Sequence, residues 1–240
     1  MTPLVIPIAI EWVILVTTLA PVILVGRFNS RPKLGLSLWF GFLLSSGIAT
    51  TLALGVAVST VFETYAKLRQ SRVGSEDWLS AILVSFSPWL ILAISGIALA
   101  LINQRLEPLV SVARETKPLL EAASRPEKNF HGHPVAAVEL PIMMAAVSRR
   151  KIFISRLALE TLSETEIHAV LWHEVGHIRG RHNALKTLAG FVRVLSSWLT
   201  ATQAMVFEVN RLIEIDADLY AFQHVDQKLL TSTRQKFLMS

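Results

Sequence analysis

Residues 34–62 contain no charged side chain, and that run most narrows what the chain can become. It exceeds the roughly 20 apolar residues needed to cross a hydrocarbon core. Amides placed there have no water to bond, so the run must satisfy them internally, as a helix does. Residues 4–25, interrupted by Pro7, Glu11 and Pro21, and residues 78–102, also uncharged, have the same character. A hydrophobic content of 52%, a charged content of 17% and a mean hydropathy of +0.49 agree with a membrane class. The sequence therefore predicts three transmembrane helices within residues 1–103. No basic residue precedes the first run, which argues against a cleaved leader. Glu11 lies close enough to the chain start for the outer interface to accommodate it. Gly47, Thr51, Gly55 and Ser59 recur at four-residue intervals, a stripe suited to close helix packing and equally an ordinary small-residue face.

Basic residues set the expected orientation. Arg27, Arg31 and Lys33 fill a short first connection that has no acid, which favours the cytoplasm. Lys67, Arg69 and Arg72 in the next connection pull the other way, whereas Arg105, Arg114 and Lys117 after the third run agree with the first. The expected chain has an external N-terminus, three crossings and a cytoplasmic remainder. The net charge of +5 and pI of 9.8 fit contact with anionic headgroups and the lipid bilayer. Direct nucleic-acid binding is not expected, because the basic residues flank apolar runs rather than forming a patch with interleaved aromatics.

From about residue 104 the composition turns globular. Residues 105–123 read as an amphipathic helix, 124–134 as a polar, turn-rich loop, and 135–147 and 151–155 as two short strands. Ser163 with Glu166 three residues on is a capping-box pattern. Ile167, Val170, Leu171, Val175 and Ile178 then recur at helical spacing. On that helix lies His173-Glu174-Val175-Gly176-His177. Histidines four apart share a helix face, roughly 5–6 Å apart at Cβ. Both rings can then reach one Zn²⁺ at about 2.0–2.1 Å, while Glu174 is placed to take a proton from water at the metal. With no cysteine in the chain, any ligands must be histidines or carboxylates.

A catalytic zinc takes three protein ligands and keeps a fourth position open. An extension of the motif to a third histidine fails on register: Gly180 fits, but Asn183 holds the required position and His182 is one residue short. A glutamate from a later helix remains. Glu214 and Asp218 stack on one helix face, so Glu214 can bind the metal and Asp218 can accept the other ring N–H of a liganding histidine. Glu208 is the second candidate, although Leu212 stands where its aspartate partner would be. With Glu214 as ligand, residues 184–224 cannot cross a membrane once, since that would part Glu214 from His173 and His177. Arg193 and Ser196-Ser197 also argue against a crossing. Residues 184–195 and 198–224 are therefore expected to form a membrane-associated helical hairpin.

These residues resemble the BlaR/MecR-type integral-membrane zinc metallopeptidases, whose zinc domains share features with the HtpX-type and CAAX-prenyl proteases. The likeness runs from about Val138 to Tyr220, through the strand pair, Leu162-Ser163-Glu164-Thr165-Glu166, the His173–His177 motif, Arg181-His182, and Glu214 with Asp218. The gap from His177 to Glu214 favours the BlaR/MecR type, because the HtpX type places two full spans there. The resemblance implies an α-helical membrane protein with a small α+β, gluzincin-like zinc metallopeptidase domain over residues 104–240. It implies His173, His177 and Glu214 as metal ligands, Glu174 as the base, and Asp218 as support for a ligand. The family's receptors carry an external sensor domain for which this chain has no room. β-Lactam sensing therefore does not carry over, while cleavage of a cytoplasmic transcriptional repressor does.

The expected reaction is hydrolysis of a peptide bond in a protein or peptide held along an edge strand in residues 138–148. His131, His133, Arg179 and His224 are candidate donors to the developing anion, and His168 has no expected role. An HtpX-like quality-control protease is the nearest alternative. A non-catalytic zinc-binding membrane adaptor is opposed by the intact Glu174, and a transporter or channel subunit by the scarcity of polar residues in the apolar runs.

Overall fold

The computed structural model describes residues 5–70, 124–196 and 200–239. Two compact units divide the chain: Met1–Leu24 with Leu38–Pro108, and Val25–Ser37 with Leu109–Ser240. The expected third run, 78–102, and the expected amphipathic helix, 105–123, lie outside the described residues.

In the first unit the two earlier apolar runs are helices, α1 (Val5–Leu24) and most of α2 (Pro32–Gln70). Pro32–Thr60 is long and apolar enough to cross a membrane, and Ile8–Leu24 is a shorter apolar helix. Their large side chains face outward: Ile14, Leu44 and Leu52 are all more than half exposed. The hydroxyls of Thr17, Thr18, Thr50 and Thr51 donate to carbonyls one turn back, so these polar groups are satisfied within their own helix. Trp12 Nε1 donates to Ser45 Oγ across the pair at 3.2 Å. A Cβ added at Gly47 or Gly55 would meet nothing within 4 Å, so no described residue packs on the small-residue stripe.

The second unit holds a four-stranded sheet of β1 (Ser124–Phe130), β2 (His133–Val138), β3 (Ala145–Ser148) and β4 (Lys151–Ser155), in the order β1-β2-β4-β3. The β2–β4 pair is parallel and the outer pairs are antiparallel. Two expectations need correction. The polar stretch 124–134 is a strand and hairpin turn, not a loop. Pro126 disguises it, yet β1 is an edge strand, where a missing N–H costs little. Residues 135–147 are two strands rather than one, because Pro141 cannot donate to a ladder and the chain turns there. Both hairpins close through two residues at positive φ, His131 (46°) with Gly132 (83°) and Arg149 (46°) with Arg150 (66°). That is the turn geometry whose twist matches the flanking strands.

The central strands β2 and β4 are buried along consecutive residues, so both faces of the sheet are covered. On one face Phe130, Val135, Ile152 and Ile154 pack against Val170, Leu171 and Val175. Each such aliphatic side chain contributes about 1.5–3 kcal/mol when fully buried. Among the described residues the unit also holds helices α3 (Arg156–Thr161), α4 (Glu164–Arg179), α5 (His182–Leu195), α6 (Thr200–Ala221) and α7 (Gln227–Met239). Where a membrane-associated hairpin was expected the structure has two helices, α5 and α6, with α5 ending at Leu195 beside Ser196.

Two contacts fix where α6 lies. Gly176 of α4 meets Ala217 so closely that a Cβ there would stand 2.9 Å from the Ala217 Cα. Glu208, fully buried, accepts from the Gly26 N–H at 2.9 Å and pairs with Arg211, which also reaches Asn29. The connection between α1 and α2 is thereby tied to α6.

Candidate metal centre

The helix that carries the His-Glu-His motif begins where the sequence places it. Ser163 Oγ accepts from the Glu166 N–H and Glu166 Oε2 accepts from the Ser163 N–H, a complete capping box. Lys236 of α7 holds the outer oxygen of Glu166 at 2.6 Å. That cation, with the backbone donor of Ser163, keeps the Glu166 carboxyl below its ordinary value against a smaller opposing effect of burial.

Two and a half turns into α4 the rings of His173 and His177 turn toward each other. Their Nε2 atoms are 3.1 Å apart. Glu214 Oε2 completes a triangle at 3.5 Å from His173 Nε2 and 3.7 Å from His177 Nε2. Bonds of about 2.0–2.1 Å at tetrahedral angles put donors about 3.3–3.4 Å apart, so one ion fits these three atoms. The outer ring nitrogens are engaged elsewhere. His173 Nδ1 lies 2.8 Å from Asp218 Oδ1, an ion-pair contact too oblique to be an aligned hydrogen bond. His177 Nδ1 lies 2.9 Å from His182 Nδ1. With protons on both outer nitrogens, two bare lone pairs and a carboxylate face one point. A cation between them relieves that arrangement. The donor set, two imidazoles and one carboxylate, suits a zinc ion.

Electrostatics follow the same geometry. Burial opposes a charge on His173, but Asp218 and Glu214 outweigh it and raise the ring to about 9. Burial lowers His177, and the neighbouring His173 adds to this. Burial also opposes the Glu214 carboxylate, yet the two rings and Lys186, 3.0 Å away, hold it well below the ordinary range. Glu174 is 7% exposed, and burial pushes its carboxyl up to about 7. It has no hydrogen bond or ion pair among the described residues and lines a cavity of about 540 Å³ beside the three candidate ligands. Arg234 of α7 pairs with Asp218 and approaches Glu214 Oε2 at 3.6 Å.

Every residue the sequence nominated for the centre meets there: His173, Glu174, His177, Glu214 and Asp218. The Glu208 alternative does not, because that carboxylate is spent on Gly26 and Arg211. The nominated anion donors do not line the cavity. His131 and His224 lie against Trp172, with ring centroids 4.4 and 3.6 Å from it. Arg179 lies over Tyr220, and His168 contacts Phe130. The cations that do line the cavity are Lys186 and Arg234, which no sequence pattern marks. His182 and Asp216 were missed as well; the repeat Glu214-x-Asp216-x-Asp218 was the available sign of the second.

Residues 110–237 match Peptidase family M48. Comparison with curated proteins and with solved structures finds no match. The matched residues make up more than half of the sequence and contain the whole centre, and the chain belongs to peptidase family M48, a family of zinc metallopeptidases.

Proposed function

We propose that the chain is a membrane-bound zinc metalloendopeptidase of BlaR/MecR type, whose substrate is a protein such as a cytoplasmic transcriptional repressor. The observation that carries the reading is the triangle of His173, His177 and Glu214, with both outer ring nitrogens engaged and Glu174, unpartnered among the described residues, beside it. Bound there, zinc would act as a Lewis acid toward a water and the scissile carbonyl. His173, His177 and Glu214 hold the ion, and Asp218 fixes the ring of His173. Glu174 accepts the proton of the attacking water and passes it to the leaving amine.

The edge strand β3 supports an extended substrate. The two-residue turn at Arg149 and Arg150 makes Ser148 and Lys151 a hydrogen-bonded pair, and pairs alternate from there. Ser155 N–H donates to Met144 at 2.8 Å, in phase with this. Met144, Ala146 and Ser148 thus bond to β4, while Ala145 and Val147 direct their backbone groups outward. Asn183 Nδ2 caps the Val147 carbonyl at 2.7 Å. A peptide in the cavity can add to the sheet through Ala145 and the Val147 N–H.

Membrane attachment is supported by α1 and α2 and by the α5–α6 hairpin. Leu188, Phe191 and Leu195 form an exposed apolar stripe on α5, and Phe207 of α6 is 67% exposed. The arrangement suits a hairpin resting in the bilayer surface. The short α5–α6 return between His177 and Glu214 favours the BlaR/MecR type over the HtpX type.

Glu174→Gln tests the reaction. The amide cannot take the water's proton, so cleavage of a co-expressed repressor or of the chain itself should fall by roughly 10²–10⁴-fold. Zinc content, read by metal analysis of the purified protein, should stay at wild-type level. Equal cleavage by wild type and variant would replace the enzyme with the adaptor.

A further inference from the structure

Beyond the three ligands, a second histidine–carboxylate pair lies behind the centre. His182 is 1% exposed and Asp216 is largely buried. His182 Nε2 is 3.2 Å from Asp216 Oδ2, and its Nδ1 is 2.9 Å from His177 Nδ1. The backbone is shaped to bring the ring there. Arg181 adopts the left-handed region at φ 51°, which turns α5 back beneath the last turn of α4. Gly180 leaves the room, since a Cβ on it would lie 2.0 Å from His182 Nε2. Any side chain at residue 180 would displace the ring.

Proton positions along this row follow from one requirement. To bind a metal through Nε2, His177 must carry its proton on Nδ1. His182 Nδ1 then has to accept, which leaves its own proton on Nε2. That proton faces Asp216, and a carboxylate accepts. Each donor meets an acceptor, and the row has a single consistent direction. We propose that His182, oriented by Asp216, is a positioning residue that fixes the tautomer and ring angle of His177 for the metal. Resting on the zinc reading, this gives His177 through an imidazole the support that His173 receives directly from Asp218. Outer partners of this kind typically contribute about 10–100-fold in metal affinity.

The full chain, purified in detergent micelles, provides the test. Zinc affinity is measured by competition with a chromophoric chelator for wild type, His182→Phe, His182→Gln and Asp216→Asn, with the melting temperature of each metal-free protein. His182→Phe keeps the ring volume and removes the acceptor, so zinc should bind about 10–100-fold more weakly while the metal-free melting temperature changes little. His182→Gln, whose side-chain oxygen can accept from His177, should recover part of the loss. Asp216→Asn should fall between His182→Phe and wild type, because its amide oxygen still accepts but carries no charge. Affinity of His182→Phe equal to wild type would overturn the proposal, as would a loss that merely tracks metal-free stability. Should His182→Phe fail to fold, ¹⁵N-histidine spectra of the zinc-loaded wild type decide. A proton on His182 Nε2 is expected, and one on Nδ1 overturns the inference. If wild type binds no zinc at all, it is the metallopeptidase reading that fails.

Discussion

The α1–α2 pair and the peptidase unit treat polar groups in opposite ways. In the helices the hydroxyls of Thr17, Thr18 and Thr51 turn back on carbonyls of their own helix, and large apolar side chains face out. In the peptidase unit polar groups from distant parts of the chain meet in buried rows: Asp218 with His173, and Asp216 with His182 and His177. Local satisfaction asks nothing of the rest of the fold, whereas a buried row exists only if α4, α5 and α6 all arrive correctly. The first region is specified by composition and the second by long-range geometry. Experiments that move one kind of feature and not the other sharpen this contrast.

The largest effect concerns sidedness, which is all or none. Val25–Ser37 belongs to the same compact unit as residues 109–240, and Glu208 and Arg211 bond to Gly26 and Asn29. On the proposed membrane reading the basic connection and the peptidase unit share one side, which the positive-inside rule would make the cytoplasm. Single cysteines at Arg31, Asn129 and Gln227, in a chain with no native cysteine, should all be labelled from the cytoplasm and from nowhere else. Labelling of Gln227 from the opposite face would break the hairpin and remove Glu214 from the centre.

Next in size is the separation of two glutamates on one helix, the buried Glu208 and the half-buried Glu214. Glu214→Ala should release most of the zinc, since two histidines alone leave an incomplete site. Glu208→Ala should keep the zinc and lower stability by about 1.5–3 kcal/mol, because it removes the carboxylate that the Gly26 N–H and Arg211 bond, as is usual for hydrogen bonds to a charged group. Zinc analysis and thermal melting of the two variants give opposite patterns. Full zinc in Glu214→Ala would break the assignment.

The extent to which this was legible in sequence follows from the same contrast. The capping box, the motif and the Glu214–Asp218 pair are local patterns at helical spacing; the box forms, and the motif lies beside Glu214 and Asp218 in space. Apolar runs announced α1 and α2 through composition alone. β1 was hidden because Pro126 and its polar neighbours look like a loop unless the strand is known to be an edge. The break at Pro141 was visible as a residue but not weighed against the apolar run around it. Lys186 and Arg234 carry no mark, and His182, noticed beside Arg181, shows no role, because their meaning depends on the paths of α5 and α7. A row such as Asp216–His182–His177 spans residues far apart in sequence, and only the close crossing at Gly176 and Ala217 assembles it.

The smallest effect tests a purely local device. Ser163→Ala removes the acceptor for the Glu166 N–H and should cost about 1 kcal/mol, as for caps in general. Zinc affinity should stay unchanged, because the ligands lie more than two turns away. Glu166 adds a pH signature. Its carboxyl is held below the ordinary value, first by Lys236 and then by the Ser163 backbone donor. The stabilisation is therefore present above the unfolded carboxyl's pKa and is lost as pH falls through the folded one. Melting temperatures of wild type and Glu166→Gln should differ at neutral pH and converge on acidification. A gap that widens toward acid would mean that Lys236 does not stabilise the ionised form, and α7 would then need another tether to α4.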